Sequence, residues 1–515
     1  MSHDSALVPG PGGVHVELTT SRPRYLNPLL ALPGTVDDDV VRLCFAGLTR
    51  VSPRGVVVPD LALRWDVGPD LLSYTFTLRP DATFHSGQPL RLADVLASLR
   101  AVQSASFPCP PALTDYWQGV RIETPTDNQI RLLVSEPDAT LPEACALGIV
   151  PENWLRSVET SDPRQSAFNA RPIGAGPYRV AEADRARVTL EPAPGYQGAR
   201  PFLRRVEFVV QPDEATGLRA LSSHTATGMV VSDPIAAGLG DDQAFVLNST
   251  PLSGRQTVLV LNTTSPLLAN SAVRRAFRLA IDSAQVGQAA LGVAAAPAAG
   301  PVSPHSWAYD PAVERPTYVP NRARAGLDAA GWTGGPGTRQ REGKPFELDI
   351  TVSSAEHVRA GQSIVAQLQQ VGIGARLRAI PGTDYIERVV ARRQFDALVA
   401  TLATSTVDPA LYWHYHSSQV TGGLNLSGWA NQRADRALDA ARREQSLEGR
   451  RRAYADFEVA FAEDCPAVSL YWPALQYVFD RRIRGVELGA VSRPSDRLAG
   501  ITDWHVAARR VPVLL

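Results

Sequence analysis

Apolar and polar positions alternate along Val14–Thr19, where Val14, Val16 and Leu18 share one face, and again along Tyr74–Leu78, where Tyr74, Phe76 and Leu78 do so. A period of two is that of a strand with one buried side. His85-Ser86-Gly87-Gln88 then marks a turn. Val95, Leu96, Leu99 and Val102 fall on one side of a helix expected over Ala93–Val102, and Gln129–Val134 reads as a further strand. Residues 1–13, rich in Gly and Pro, are expected to be a disordered lead.

The stretch 346–402 carries the clearest pattern. Phe346, Leu348, Ile350 and Val352 alternate with polar residues, which predicts a strand. Ile364, Val365, Leu368 and Val371 make a helical stripe, closed by Gly372. Ala375–Ile380 reads as a strand, Tyr385–Ala391 as a short helix and Phe395–Leu402 as a buried strand. This β-α-β-α-β order predicts strands of one sheet, parallel under right-handed crossovers. Helices follow near Ala434–Glu444 and Arg451–Ala462, then apolar strands at Ala467–Tyr471 and Leu475–Phe479. In open α/β sheets ligands sit beyond the carboxyl ends of the strands. Two such ends, Thr351–Ser354 and Thr401–Thr406, are rich in small hydroxyl side chains and carry no charge.

Composition narrows the function. A chain of 515 residues, 44% apolar and 20% charged, can bury more than one core. A net charge of −1 argues against nucleic acid as a partner, because phosphate binding needs a basic excess. Cys44, Cys109, Cys145 and Cys465 form no CxxC pair, and buried free thiols are the expected state, with a Cys109–Cys145 bridge as the alternative. His414 and His416 stand two apart, but without nearby Cys or carboxylate other than Asp408 they do not read as a metal site. No nucleophile elbow, phosphate loop or dinucleotide fingerprint is present, so neither an enzyme nor a cofactor is expected.

Several ordered segments resemble the extracytoplasmic solute-binding proteins of peptide and nickel ABC importers, family 5. Tyr74–Leu99 resembles the family's most characteristic stretch, and Pro172–Tyr178 (PIGAGPY) is similar to its Gly-x-Gly-Pro-Tyr motif. Gly195-Tyr196 with Arg200–Phe208, Leu261–Asp282, Asp408-Pro409, His416-Ser417 and Asn425–Asn431 (NLSGWAN) resemble later blocks. The resemblance implies an α/β, periplasmic-binding-protein-like two-lobe fold of type II, in the large peptide-binder subclass. Lobe I would span 14–255 plus 483–515, with an inserted subdomain at about 47–165, and lobe II 256–482. Hinge segments would lie near Val258–Asn262 and Val478–Arg482. A monomer would capture a peptide-like or other small polar solute between the lobes and hand it to the permease, touching the membrane only through it or through an anchor outside this chain.

Within this resemblance, Ser405 falls where peptide binders carry a carboxylate for the peptide's amino terminus, and Thr351 where dipeptide binders carry a basic residue. A charged terminus leaving water needs a partner charge. The expected solute is therefore neutral and polar, sugar-like, or a blocked peptide. The candidate ligand contacts are Asn27, Tyr116, Trp117, Asn262, Thr351, Ser353, Thr404, Ser405, Thr406, Asp408, Tyr412 and Trp413. An extracytoplasmic location follows from the resemblance. Met1–Val14 shows no basic stretch followed by an apolar core, so a cytoplasmic ligand sensor on the same fold is the second reading, and a hydrolase with convergent distant residues the third.

Overall fold

The computed structural model describes residues 5–232, 244–315, 317–334, 337–380, 384–385, 389, 391–403, 408–506 and 508–512. Two compact units emerge, 1–248 with 476–515, and 249–475. The chain passes between them within the strands Phe245–Pro251 and Ala467–Asp480. The segment Val258–Asn262, expected at the hinge, lies inside the second unit.

In the first unit a mixed sheet runs in the order Gly228–Val231, Val14–Thr19, Arg205–Val210, Arg187–Pro192, Tyr178–Ala183. Val14–Thr19 pairs in parallel with both of its neighbours, and the outer strands pair antiparallel. A separate antiparallel sheet holds Ala62–Val67, Ser73–Leu78, Gln129–Leu133 and Arg121–Thr126. Helix Leu92–Gln103 buries Val95, Leu99 and Val102, as the helical stripe predicts. Both sheets share one apolar core with Leu43, Phe76, Tyr178 and Trp504. Ser5–Pro9, expected to be part of a disordered lead, pairs antiparallel with Ala508–Pro512.

His85 joins two of the sequence motifs. Its Nδ1 accepts the Gly174 N–H (3.3 Å) and its Nε2–H donates to the Gly176 carbonyl (3.1 Å). Gly174 and Gly176 lie against the backbone of Leu43–Phe45, where a Cβ would approach within 1.9 and 2.6 Å respectively. Only glycine fits there. The HSGQ turn and the PIGAGPY segment are thus two halves of one contact.

The first unit also buries a charge cluster. Arg497 contacts Glu17 (2.8 Å) and Asp39 (2.7 Å), Tyr477 donates to Glu17 (2.8 Å), and His15 lies 3.0 Å from the same carboxylate. Burial alone would raise the Glu17 pKa, but Arg497, His15 and Tyr477 outweigh it and bring it down to about 2. Burial wins at Asp39, which is pushed up to about 6 although Arg497 opposes the rise.

The second unit is built on the sheet Gly374–Ala379, Glu347–Val352, Ala397–Ala403, Arg255–Leu261, Ala467–Leu475. Its first three strands are mutually parallel, as the β-α-β-α-β reading predicts, and Arg255–Leu261 runs antiparallel to both of its neighbours. Helix Ala355–Gln370 covers one face beside the core of Leu259, Ile350, Ile364 and Val399. Helices Gln432–Arg443 and Leu447–Asp464 cover a second core with Val258, Leu398, Tyr415 and Phe457. The strands expected separately at Ala467–Tyr471 and Leu475–Phe479 are one strand, Ala467–Asp480. Proline ordinarily ends a strand because it lacks an N–H; here Pro473 stays in the ladder, its carbonyl accepting the Leu252 N–H (2.9 Å). The four cysteines are free thiols.

Two outcomes test this account. Burial holds the His85 pKa down at about 4, below the unfolded value of 6.5. The unfolded chain therefore takes up the proton first. The stabilisation is complete above pH 6.5 and drains away as pH falls toward 4, by up to about 3 kcal/mol. Urea midpoints at pH 7 and pH 5 should show this drop, and His85→Gln should flatten it. Arg497→Gln should lower the urea midpoint at pH 7 by the equivalent of about 3–5 kcal/mol, because two buried carboxylates lose their counter-ion.

Candidate functional site

The site grows from the carboxyl ends of the strands Glu347–Val352 and Ala397–Ala403. Beyond the first, Ser354 caps helix Ala355–Gln370 by accepting the His357 N–H (3.1 Å). The cap aims the first helical turn back across the sheet. His357 then lies 3.2 Å from the Ser353 hydroxyl and 3.1 Å from that of Thr401. Thr401 meets Thr257 at 3.0 Å, and Tyr471 donates to Glu356 (2.8 Å). Burial lowers the His357 pKa, so the ring is a neutral donor–acceptor between hydroxyls. This polar seam ties the ends of the second unit's strands together.

Neighbouring residues of a strand point to opposite faces. Each strand residue of the seam is therefore followed or preceded by one on the other side: Gln256 beside Thr257, Leu402 beside Thr401, Trp472 beside Tyr471. The register aligns them, with Gln256 opposite Leu402 and Thr257 opposite both Thr401 and Tyr471. On that other face lies a pocket lined by Gln256, Leu402 and Trp472 together with Arg255, Ser303 and His414.

The polar groups of the pocket are only partly engaged. Gln256 Nε2 donates to the Gly300 carbonyl (2.8 Å), and the Ser303 hydroxyl accepts the His305 N–H (3.3 Å). His414 Nδ1 and the Trp472 indole N–H have no partner among the described residues, although the two side chains are 8% and 4% exposed. Burial brings the His414 pKa down to about 4, against the effect of a bond to the Ala403 backbone. At neutral pH the His414 ring is thus uncharged, and its Nδ1 and the Trp472 N–H are unpaired atoms of residues that line the pocket. Among the described residues no carboxylate lines it, and Arg255 is its charged group.

The residues singled out in the sequence fall in different settings. Asn27 is buried in the first unit, donating to Asn169 (3.0 Å) and accepting from the Leu29 N–H (3.0 Å). In that unit Tyr116 donates to Asp138 (2.9 Å), and Trp117 is fully buried beside it. Asn262 donates to the Phe395 carbonyl (2.8 Å) and accepts from Thr264, which joins a strand end to its loop. Thr351 is fully buried, its hydroxyl unpartnered among the described residues. Ser353 belongs to the seam. Asp408 is buried in an ion pair with Arg450, accepts from Tyr454, and accepts the Ala410 N–H at 2.7 Å. Tyr412 stacks on His416 (4.3 Å), with the Arg442 guanidinium 4.3 Å from its ring. Trp413 is 48% exposed on the same segment that brings Leu411 and His414 to the pocket. Thr404, Ser405 and Thr406 lie outside the described residues.

Sequence reasoning missed Gln256 and Trp472, and weighed His414 only as a metal ligand. The usable signal was a polar residue inside the apolar run Arg255–Leu261 and an indole in Ala467–Tyr477. Among the described residues no cluster of three His, Cys, Asp or Glu side chains is placed to hold a metal.

The chain is 25% identical to the oligopeptide-binding protein AppA of Bacillus subtilis, over 98% of this chain and 93% of that protein. It is 24% identical to the probable ABC transporter periplasmic-binding protein SapA of Escherichia coli, over 91% and 89% of the two chains. The structure of HbpA2 from Haemophilus parasuis superposes with a TM-score of 0.84 at 20% identity, covering 95% of this chain and 99% of that one. This likeness places the fold in the two-lobe periplasmic-binding-protein class. Residues 56–423 match the family described as bacterial extracellular solute-binding proteins, family 5, and the chain belongs to that family of binding proteins.

Proposed function

We propose that this chain captures a peptide-like or other small polar solute, without a free ammonium group, at the pocket of its second unit, and delivers it unaltered to the permease of an ABC importer. One observation carries the reading. His414 and Trp472 line the pocket, each keeps a buried polar atom without a partner among the described residues (Nδ1 and the indole N–H), and no carboxylate is among the described lining residues. Such groups are costly until a ligand pairs with them. A peptide amide supplies both an acceptor for the indole and a donor for the imidazole. An ammonium ion finds no anionic partner there. Trp413 offers an exposed aromatic face on the adjoining segment.

The family supports binding without chemistry, and relatives named for oligopeptide binding and ABC transport support the peptide-like class and the importer. Among the described residues no helix is long and apolar enough to cross a membrane. The membrane step therefore belongs, in this proposal, to the permease, and the chain works as a monomer outside the cytoplasm.

Acetyl-blocked di- and tripeptides should raise the melting temperature saturably, by about 2.7 kcal/mol of stabilisation at a hundredfold excess over Kd, while free dipeptides do little. Chromatography should recover the ligand intact; a cleaved product, or free dipeptides binding as tightly as blocked ones, would overturn the reading. Trp472→Phe keeps the ring packing and removes the N–H, so affinity should fall about fivefold to tenfold, near 1 kcal/mol. Because His414 titrates near pH 4, calorimetric affinity should stay level from pH 6 to pH 8.

A further inference from the structure

Pro301 borders a second cavity in the same unit. It is lined by Arg278, Gly300, Arg315, Glu458, Cys465 and Ser469, among others. Arg315 and Glu458 neutralise each other at 2.6 Å. Arg278 has no such partner. Its side chain belongs to a residue 9% exposed, and Nη1 donates to the Ile281 carbonyl (3.3 Å). Its Nε donates to nothing among the described residues, and the charge of Asp282 acts on the guanidinium without a contact ion pair. The Ser469 hydroxyl, on a residue 1% exposed, is also unpartnered.

The surroundings strengthen the positive field. Arg274 and Arg275 share helix Ser271–Ala280 with Arg278. Arg274 donates to the carbonyls of Leu268, Ala269 and Asp464 (2.8–2.9 Å), and Arg275 to that of Glu463 (2.7 Å). Among the described residues neither meets a carboxylate side chain. All three guanidinium groups act on Cys465, opposing the burial that pushes its thiol up to about 11. A guanidinium stays charged even when buried, and a buried charge without a counter-ion is costly. Glu314, an exposed carboxylate, also lines the cavity.

We propose that this cavity is a second ligand site, which takes a small oxyanion of the carboxylate or phosphate type between Arg278 and the Ser469 hydroxyl. Arginine matches such oxygens with charge-assisted hydrogen bonds. Arg278 and Ser469 do not line the solute pocket, which adjoins this cavity at Pro301.

The test is thermal denaturation of the full chain at constant ionic strength, with chloride replaced stepwise by acetate in one arm and by inorganic phosphate in the other. A saturable rise in melting temperature is expected in at least one arm, and the arm that saturates at lower concentration identifies the anion class. Arg278→Gln should weaken the midpoint at least tenfold. Ser469→Ala, which removes only an unpartnered hydroxyl, should weaken it severalfold while leaving solute binding unchanged, and it reads the site even if the arginine variant does not fold. The proposal fails if neither anion gives a saturable shift, or if the wild type and Ser469→Ala respond alike, as a general salt effect would require.

Discussion

The pleat of the second unit's sheet is the constraint on which the site depends. Side chains of consecutive strand residues must leave on opposite faces. At the sheet's end this sends Thr257, Thr401 and Tyr471 into a hydrogen-bonded seam and sends Gln256, Leu402 and Trp472 to the wall of a pocket. A shift of one residue in any of these strands would exchange the two sets. The seam is what resists that shift. Its partners, His357 and Glu356, are held by the cap of a long helix, so the pocket wall inherits its register from a helix on the other side of the sheet.

The first unit is organised around a different difficulty, the burial of charge. Glu17 and Asp39 share Arg497, and Tyr477 and His15 complete the bonds of Glu17. Replacing such a cluster by apolar side chains can be neutral for stability, but removing one member leaves the rest exposed to a low dielectric. Its members come from strand Val14–Thr19, helix Val36–Cys44 and the returning C-terminal chain, so it joins the beginning and end of the sequence within one unit. The covalent path between the units is carried by strands rather than by free loops.

Family membership and local geometry point the same way while supporting different statements. The family establishes a binding protein; the pocket's unpaired groups argue for the class of solute. Asp408 illustrates the difference. Its place in an Asp-Pro motif made it a candidate ligand contact, yet its carboxylate is occupied by Arg450, Tyr454 and a backbone N–H. Its contacts are those of a buried structural anion rather than of an open binding group.

The sequence by itself determined the α/β class, most of the strands and helices, and the run of parallel strands across 346–402, because those follow from local periodicity. It also determined that no charged residue stands at Thr351 or Ser405. The tertiary structure alone decided which polar residues stay free. Glu17 and Arg497 are 480 positions apart, and Asp408 and Arg450 are 42 apart; periodicity says nothing about pairs so distant. The side chains of Asn27, Asn262 and Asp408 are engaged in bonds inside the units. Gln256 and Trp472 escaped notice because each reads locally as ordinary packing, and His414 drew attention only for its spacing from His416; the folded sheet alone brings the three to one pocket.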